Sequence, residues 1–179
     1  PTFYFADETG TIQPVTDSTP IIRRLETQFS DRSARPSDPA LALIDALLED
    51  YGDEWLTKAM FHYRWHFADD IARASAILPA WTRGRMPDAD LKEAGTDIAN
   101  RQIPRLRYVG SNEKTWGVIE ASYVRYIDAM EAHLRDHAFL LGARPGAGDF
   151  GIYGQLTQLA LFDPTSMAIT IERAPRVFA

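Results

Sequence analysis

The 179 residues contain no cysteine. That absence excludes disulfides, thiolate metal ligands and a cysteine nucleophile among them, and it fits a reducing compartment, with the cytoplasm as the expected location. Long apolar runs are missing too. No segment approaches the roughly 18 consecutive apolar residues of a membrane span, and the opening PTFYFADETG lacks the basic and apolar regions of a signal peptide, so no membrane partner is expected. Basic charge is scarce: 19 Lys and Arg against 25 Asp and Glu leave a net charge of −6. This balance argues against a general nucleic-acid or anionic-membrane surface. There is also no initiating methionine before Pro1, which implies a fragment or a processed product. What is present is an ordinary globular composition, 45% hydrophobic and 25% charged, enough for one core or for one domain plus part of another.

Taken along the chain, residues 2–6 are β-branched and aromatic, 7–10 carry turn chemistry, and 11–15 read as a second short strand whose Pro14 suits an edge. A hairpin is expected. Thr16 to Pro20 then form a capping cluster with proline in the first turn, and Ile21, Ile22 and Leu25 follow at helical spacing. Residues 30–39, SDRSARPSDP, are polar and proline-rich and read as a linker between a strand-bearing part (1–29) and a helical part (40–179). Beyond it Pro39 opens a helix through LALIDALLEDY, which Gly52 is expected to break.

Residues 53–78 read as one long helix, ended by Pro79 and the Gly84 to Pro87 region. Leu56, Met60, Tyr63, Phe67, Ile71, Ala74 and Leu78 recur at steps of four and three, and Phe61, Trp65, Ala68 and Ala72 form a second apolar line. A helix apolar over so much of its circumference is the central member of a bundle. Further helices are expected over 88–108, kinked or shortened at Pro104, over 113–137 with Trp116, Ile119, Tyr123, Ile127, Met130 and Leu134 inward, over GIYGQLTQLAL, and in the tail before Pro175.

Two motifs now stand at a characteristic separation. Asp17-Ser18-Thr19-Pro20-Ile21-Ile22 opens the last helix of the first part. Phe139-Leu140-Leu141-Gly142, Arg144-Pro145 and Ala147-Gly148-Asp149-Phe150 precede a later helix. With a β-β-α start, a proline linker and a helical bundle, the chain resembles the cytosolic glutathione S-transferase superfamily over nearly its whole length. The resemblance implies an α/β plus all-α fold: the end of a thioredoxin-like domain followed by an all-helical C-terminal domain. It implies glutathione as cosubstrate, a hydrophobic electrophile, detoxification chemistry and a homodimer, the last also motivated by the large apolar residues Trp55, Phe61 and Trp65. The β-α-β unit that carries the thiol-activating residue in this superfamily is not in the sequence, so that residue is expected upstream of Pro1 and the 179 residues alone are expected to be inactive. Pro1 would be the superfamily's cis-proline and part of the glutathione site. The rival expectation is a transferase-like protein-interaction module without catalysis.

The residues support specific roles. A ligand carboxylate is favoured at a helix N-terminus, where free N–H groups point outward. Asp17 and Ser18 therefore suit the γ-glutamyl end of glutathione, Asp17 facing its ammonium; they also suit simple capping of the helix. Asp149, three residues past Gly146, can reach back to the N–H there, with Pro145 packing on Phe150. The superfamily usually has Ser or Thr at the place of Gly146, so the reciprocal half of the capping box is missing. Tyr63, Arg64 and Trp65 are candidates for the electrophile pocket by resemblance, and core packing is the other reading for Tyr63 and Trp65; Arg64 wants an anionic partner. His62, His66 and Asp70 are not expected to hold a metal, because Asp70 lies about 12 Å from His62 on a helix rising ~1.5 Å per residue.

Overall fold

A computed structural model describes residues 2–29 and 31–179. Strands β1 (Phe3–Ala6) and β2 (Ile12–Val15) pair antiparallel in the register Phe3↔Val15 to Ala6↔Ile12. The turn closes because one carboxylate oxygen of Asp7 accepts the N–H groups of Thr9 and Thr11, at 2.9 and 3.0 Å. Helix α1 (Ser18–Gln28) follows. It lies against the hairpin through Arg24, which donates to the Ala6 carbonyl at 2.8 Å and covers the Phe5 ring at 4.2 Å.

The rest is helical: α2 (Pro39–Asp50), a π-helical turn (Tyr51–Leu56), α3 (Thr57–His66), α4 (Ala68–Arg83), α5 (Asp88–Gln102), a 3₁₀ stretch (Ile103–Val109), α6 (Trp116–His133), α7 (Ala147–Leu159), α8 (Pro164–Arg173) and α9 (Pro175–Phe178). Among the described residues no helix is long and apolar enough to cross a membrane. Pro104 coincides with the change from α to 3₁₀ geometry, as the loss of one i→i−4 bond dictates.

The central helix is shorter than its apolar pattern predicts, and its ends differ. Gly52 does not break the chain; the helical path runs on through the π turn into α3. A Cβ at Gly52 would meet the Gly151 backbone at 2.8 Å, so glycine serves here to let α7 cross close to the turn. The break falls instead at Phe67, which is extended (φ −88, ψ 138). No proline or glycine causes it. Phe67 packs against the core and stacks on Tyr63 at 5.5 Å, while Asp70, just beyond, accepts from the Thr165 backbone N–H at 3.2 Å and from its hydroxyl. Tertiary contacts thus redirect α4 toward α8. Pro79 lies inside α4 and does not end it; the last turn is held by Trp81 against Phe162, ring centres 5.0 Å apart.

Two apolar clusters meet across α3. Ala59 and Tyr63 pack with Tyr123, Ile127, Leu159 and Ala174, and Trp65 packs with Ala74, Ala99 and Phe162. The helix that the others wrap is therefore the stretch 57–66, contacted from both sides.

Candidate functional site

The corner where β2 runs into α1 is the most exposed of the expected sites. Asp17 has φ 81 and ψ 126, and it is the only non-glycine residue with positive φ among those described. A side chain there is strained by of order 1 kcal/mol or more, a cost that persists only where the surroundings fix it. Its carboxylate accepts the Thr19 N–H at 3.0 Å, which caps α1. Ser18 opens the helix from an exposed position. Thr19 anchors the corner to α2 by donating to Glu49 at 2.8 Å. Behind it stands an acidic wall, Glu49, Asp50, Asp53 and Glu54. The Asp53 carboxyl is pushed above its usual range by burial, and next by the charges of Glu49 and Asp17. The corner thus offers N–H groups to an anion and carboxylates to a cation within one turn of chain. The contact expected of Pro1 lies outside the described residues.

Tyr63, Arg64 and Trp65 sit elsewhere. They are 1%, 8% and 2% exposed, so they pack in the interior of the helical body and present little surface to an electrophile. Tyr63 meets Tyr123 edge-on at 5.4 Å, and burial drives its hydroxyl well above the ordinary tyrosine range. Arg64 has the anionic partner its surroundings require. Its Nε and one terminal nitrogen donate to the two oxygens of Asp163, both at 2.9 Å, and the same terminal nitrogen donates to Gln158 at 2.9 Å. Asp163 is fully buried; burial raises its carboxyl and the Arg64 guanidinium offsets part of that. An apolar groove of about 400 Å³ is lined by Met130, Leu134, Phe139, Phe150, Tyr153 and Leu156 among others, and by none of the three residues of α3.

Asp149 accepts two N–H groups at the start of α7. One oxygen accepts the Gly146 N–H at 2.9 Å and the other the Leu140 N–H at 3.0 Å. Pro145 and Phe150 line the groove together, with Phe150 half exposed rather than sealed beneath a staple. The first two N–H groups of α7 are capped from a distance. Asp45 of α2, 2% exposed, accepts the N–H groups of Ala147 and Gly148 at 3.2 and 3.0 Å. A Cβ on residue 146 would run into that carboxylate, which accounts for glycine where a Ser or Thr is usual. Asp45 escaped the sequence reading, although a lone acid inside LALIDALL is a signal of the same kind as Arg64 inside an aromatic run.

Asp70 is indeed remote from His62, bonded to Thr165 instead. Glu120 of α6 takes the place that Asp70 cannot: His62, His66 and Glu120 bring their ligand atoms within 4.8 Å of one another. His66 stacks on His62 at 4.8 Å and leans on Trp116 at 4.3 Å. Neither Ser111, which bonds His62, nor Glu120 carries a local sequence signal.

A family model described as glutathione S-transferase, C-terminal domain, matches residues 28–179. The hairpin and nearly all of α1, including the Asp17 corner, precede the matched span. No curated protein matches the chain, and no solved structure does.

Proposed function

The chain belongs to the glutathione S-transferase family through its C-terminal domain, and from that premise we propose that the full-length protein is a glutathione transferase that joins the glutathione thiol to a hydrophobic electrophile. In this reading residues 1–29 end a thioredoxin-like glutathione-binding part, 30–39 link, and 40–179 form the helical domain. The γ-glutamyl carboxylate is received by the Ser18 hydroxyl and the N–H groups of the first turn of α1, whose dipole favours an anion. The ammonium of the same group faces Asp17 and the acidic wall behind it. Asp17 carries the proposal: its strained backbone at an exposed helix start is a feature a plain cap does not need, since a cap forms from the ordinary extended region.

The protein acts as a homodimer. Support comes from the open apolar face of α2 and the π turn, where Leu43, Leu47 and Trp55 are 63%, 60% and 60% exposed. Of the other residues that pointed to an interface, Trp65 is buried inside the bundle and is not available for one.

The test is conjugation. Full-length protein given glutathione and an activated aryl halide is expected to form the thioether faster than the uncatalysed mixture. Ser18→Ala is expected to raise KM for glutathione by about 5- to 150-fold, the loss of one hydrogen bond to a charged group, roughly 1–3 kcal/mol. A rate equal to background across several electrophile classes would sink the assignment.

A further inference from the structure

The histidine pair of α3 has acquired a third donor that does not come from its own helix. His62 Nε2 stands 3.3 Å from Glu120 Oε1, and two donors each about 2.1 Å from a tetrahedral zinc ion sit roughly 3.4 Å apart. The rings of His62 and His66 are near parallel, 20° between planes with centres 4.8 Å apart, and the three ligand atoms lie within 4.8 Å of one another; a turn of the His66 side chain brings its nitrogen to the roughly 3.4 Å spacing that a tetrahedral ion needs. The His62 ring is held in place. His62 Nδ1 is hydrogen-bonded to Ser111 Oγ at 2.8 Å, which turns Nε2 toward the cluster, the outer contact a ligating histidine uses to fix its orientation. His66 lies beside the His62 ring and Trp116, 4.3 Å away, with Phe67 edge-on at 4.8 Å, and is partly exposed. His62 has no exposed side-chain surface whereas Glu120 retains 39%, so the cluster has a closed apolar floor and one open side.

We propose that His62, His66 and Glu120 bind one divalent ion of the zinc class, with a water or small ligand in the fourth position on the Glu120 side. Two imidazole nitrogens and one carboxylate suit zinc, cobalt or nickel, whereas calcium and magnesium take oxygen donors. The ion ties α3 to α6 and to the Ser111 loop, and no redox step is involved. The site is independent of the glutathione corner. The protein carries its own control: His133 and His137 also lie side by side, ring centres 4.7 Å apart, but His133 Nε2 bonds the Phe139 carbonyl at 3.0 Å, and among the described residues no carboxylate completes a cluster there.

Tag-free, chelator-treated full-length protein titrated with Co(II), followed by visible absorption, tests this. One Co(II) per chain is expected, with the strong band of a four-coordinate ion that Zn(II) then displaces. His66→Ala and Glu120→Gln, both at partly exposed positions and checked for fold by circular dichroism, are each expected to raise Kd at least tenfold, and His137→Ala to leave it unchanged. Absence of stoichiometric uptake, wild-type affinity in either of the first two variants, or loss of binding in His137→Ala overturns the proposal.

Discussion

Arg64 and Asp163 are the residues on which the interior depends most sharply. A charge inside a bundle is tolerated when its partner is close and its remaining groups are bonded, and removing one partner leaves the other uncompensated. Arg64 satisfies this with two bonds to Asp163 and one to Gln158, each 2.9 Å long, and its planar group also lies over the Phe162 ring at 4.8 Å. Arg64→Met keeps much of the volume and deletes the cation, so it is expected to cost about 3–5 kcal/mol in denaturant unfolding. Adding Asp163→Asn is expected to recover part of that loss; a double variant no better than the single one would show that packing of the side chain, not its charge, was lost. The need for a partner was legible from an arginine among aromatics. The identity of the partner was not, because Asp163 precedes Pro164 and reads locally as the end of one helix and the start of the next.

Among the elements, α7 shows how local and distant signals combine. Asp149 caps Gly146 from within the same turn, and spacing alone revealed it. Asp45 reaches the next two N–H groups from α2, and nothing within a window of sequence links the two. Asp45→Ala is expected to lower stability by about 2–3 kcal/mol, since two buried donors lose a charged acceptor, or a fall in Tm of roughly 4–12 °C for a chain of this size. Gly146→Ser completes a Ser-x-x-Asp box on paper. It is expected to destabilise instead, by about 1–3 kcal/mol, because its Cβ enters the space of the Asp45 carboxylate, which yields only by giving up its bonds to the Ala147 and Gly148 N–H groups. A higher Tm in Gly146→Ser would contradict the assignment of Asp45 as the second cap. The same limit explains the central helix: its apolar period was read correctly, but the bend at Phe67 is imposed by contacts with Tyr63 and with Thr165 beyond it, and the continuity through Gly52 by the close passage of α7.

At the scale of the whole molecule, a small antiparallel sheet precedes a helical body whose span from residue 28 onward belongs to a known family. This order was readable from turn chemistry, a proline-rich connection and helical spacing. The proposed homodimer belongs to this scale. The exposed leucines of α2 are expected to be covered by a second copy, so sedimentation of the full-length protein at micromolar concentration is expected to give twice the chain mass, and Leu43→Glu with Leu47→Glu to give the chain mass itself. A monomeric wild type would leave that face without its proposed occupant.

The central claim is that the α1 corner binds glutathione while the α7 caps only hold the fold, and calorimetric titration of full-length protein with glutathione, run beside thermal melts, addresses it most directly. Ser18→Ala is expected to lose about 1–3 kcal/mol of binding at nearly unchanged Tm, and Asp149→Ala, losing its bonds to the Gly146 and Leu140 N–H groups, to melt earlier while its folded fraction binds as the wild type does. Unchanged affinity in Ser18→Ala, or no glutathione binding by the wild type, would contradict it.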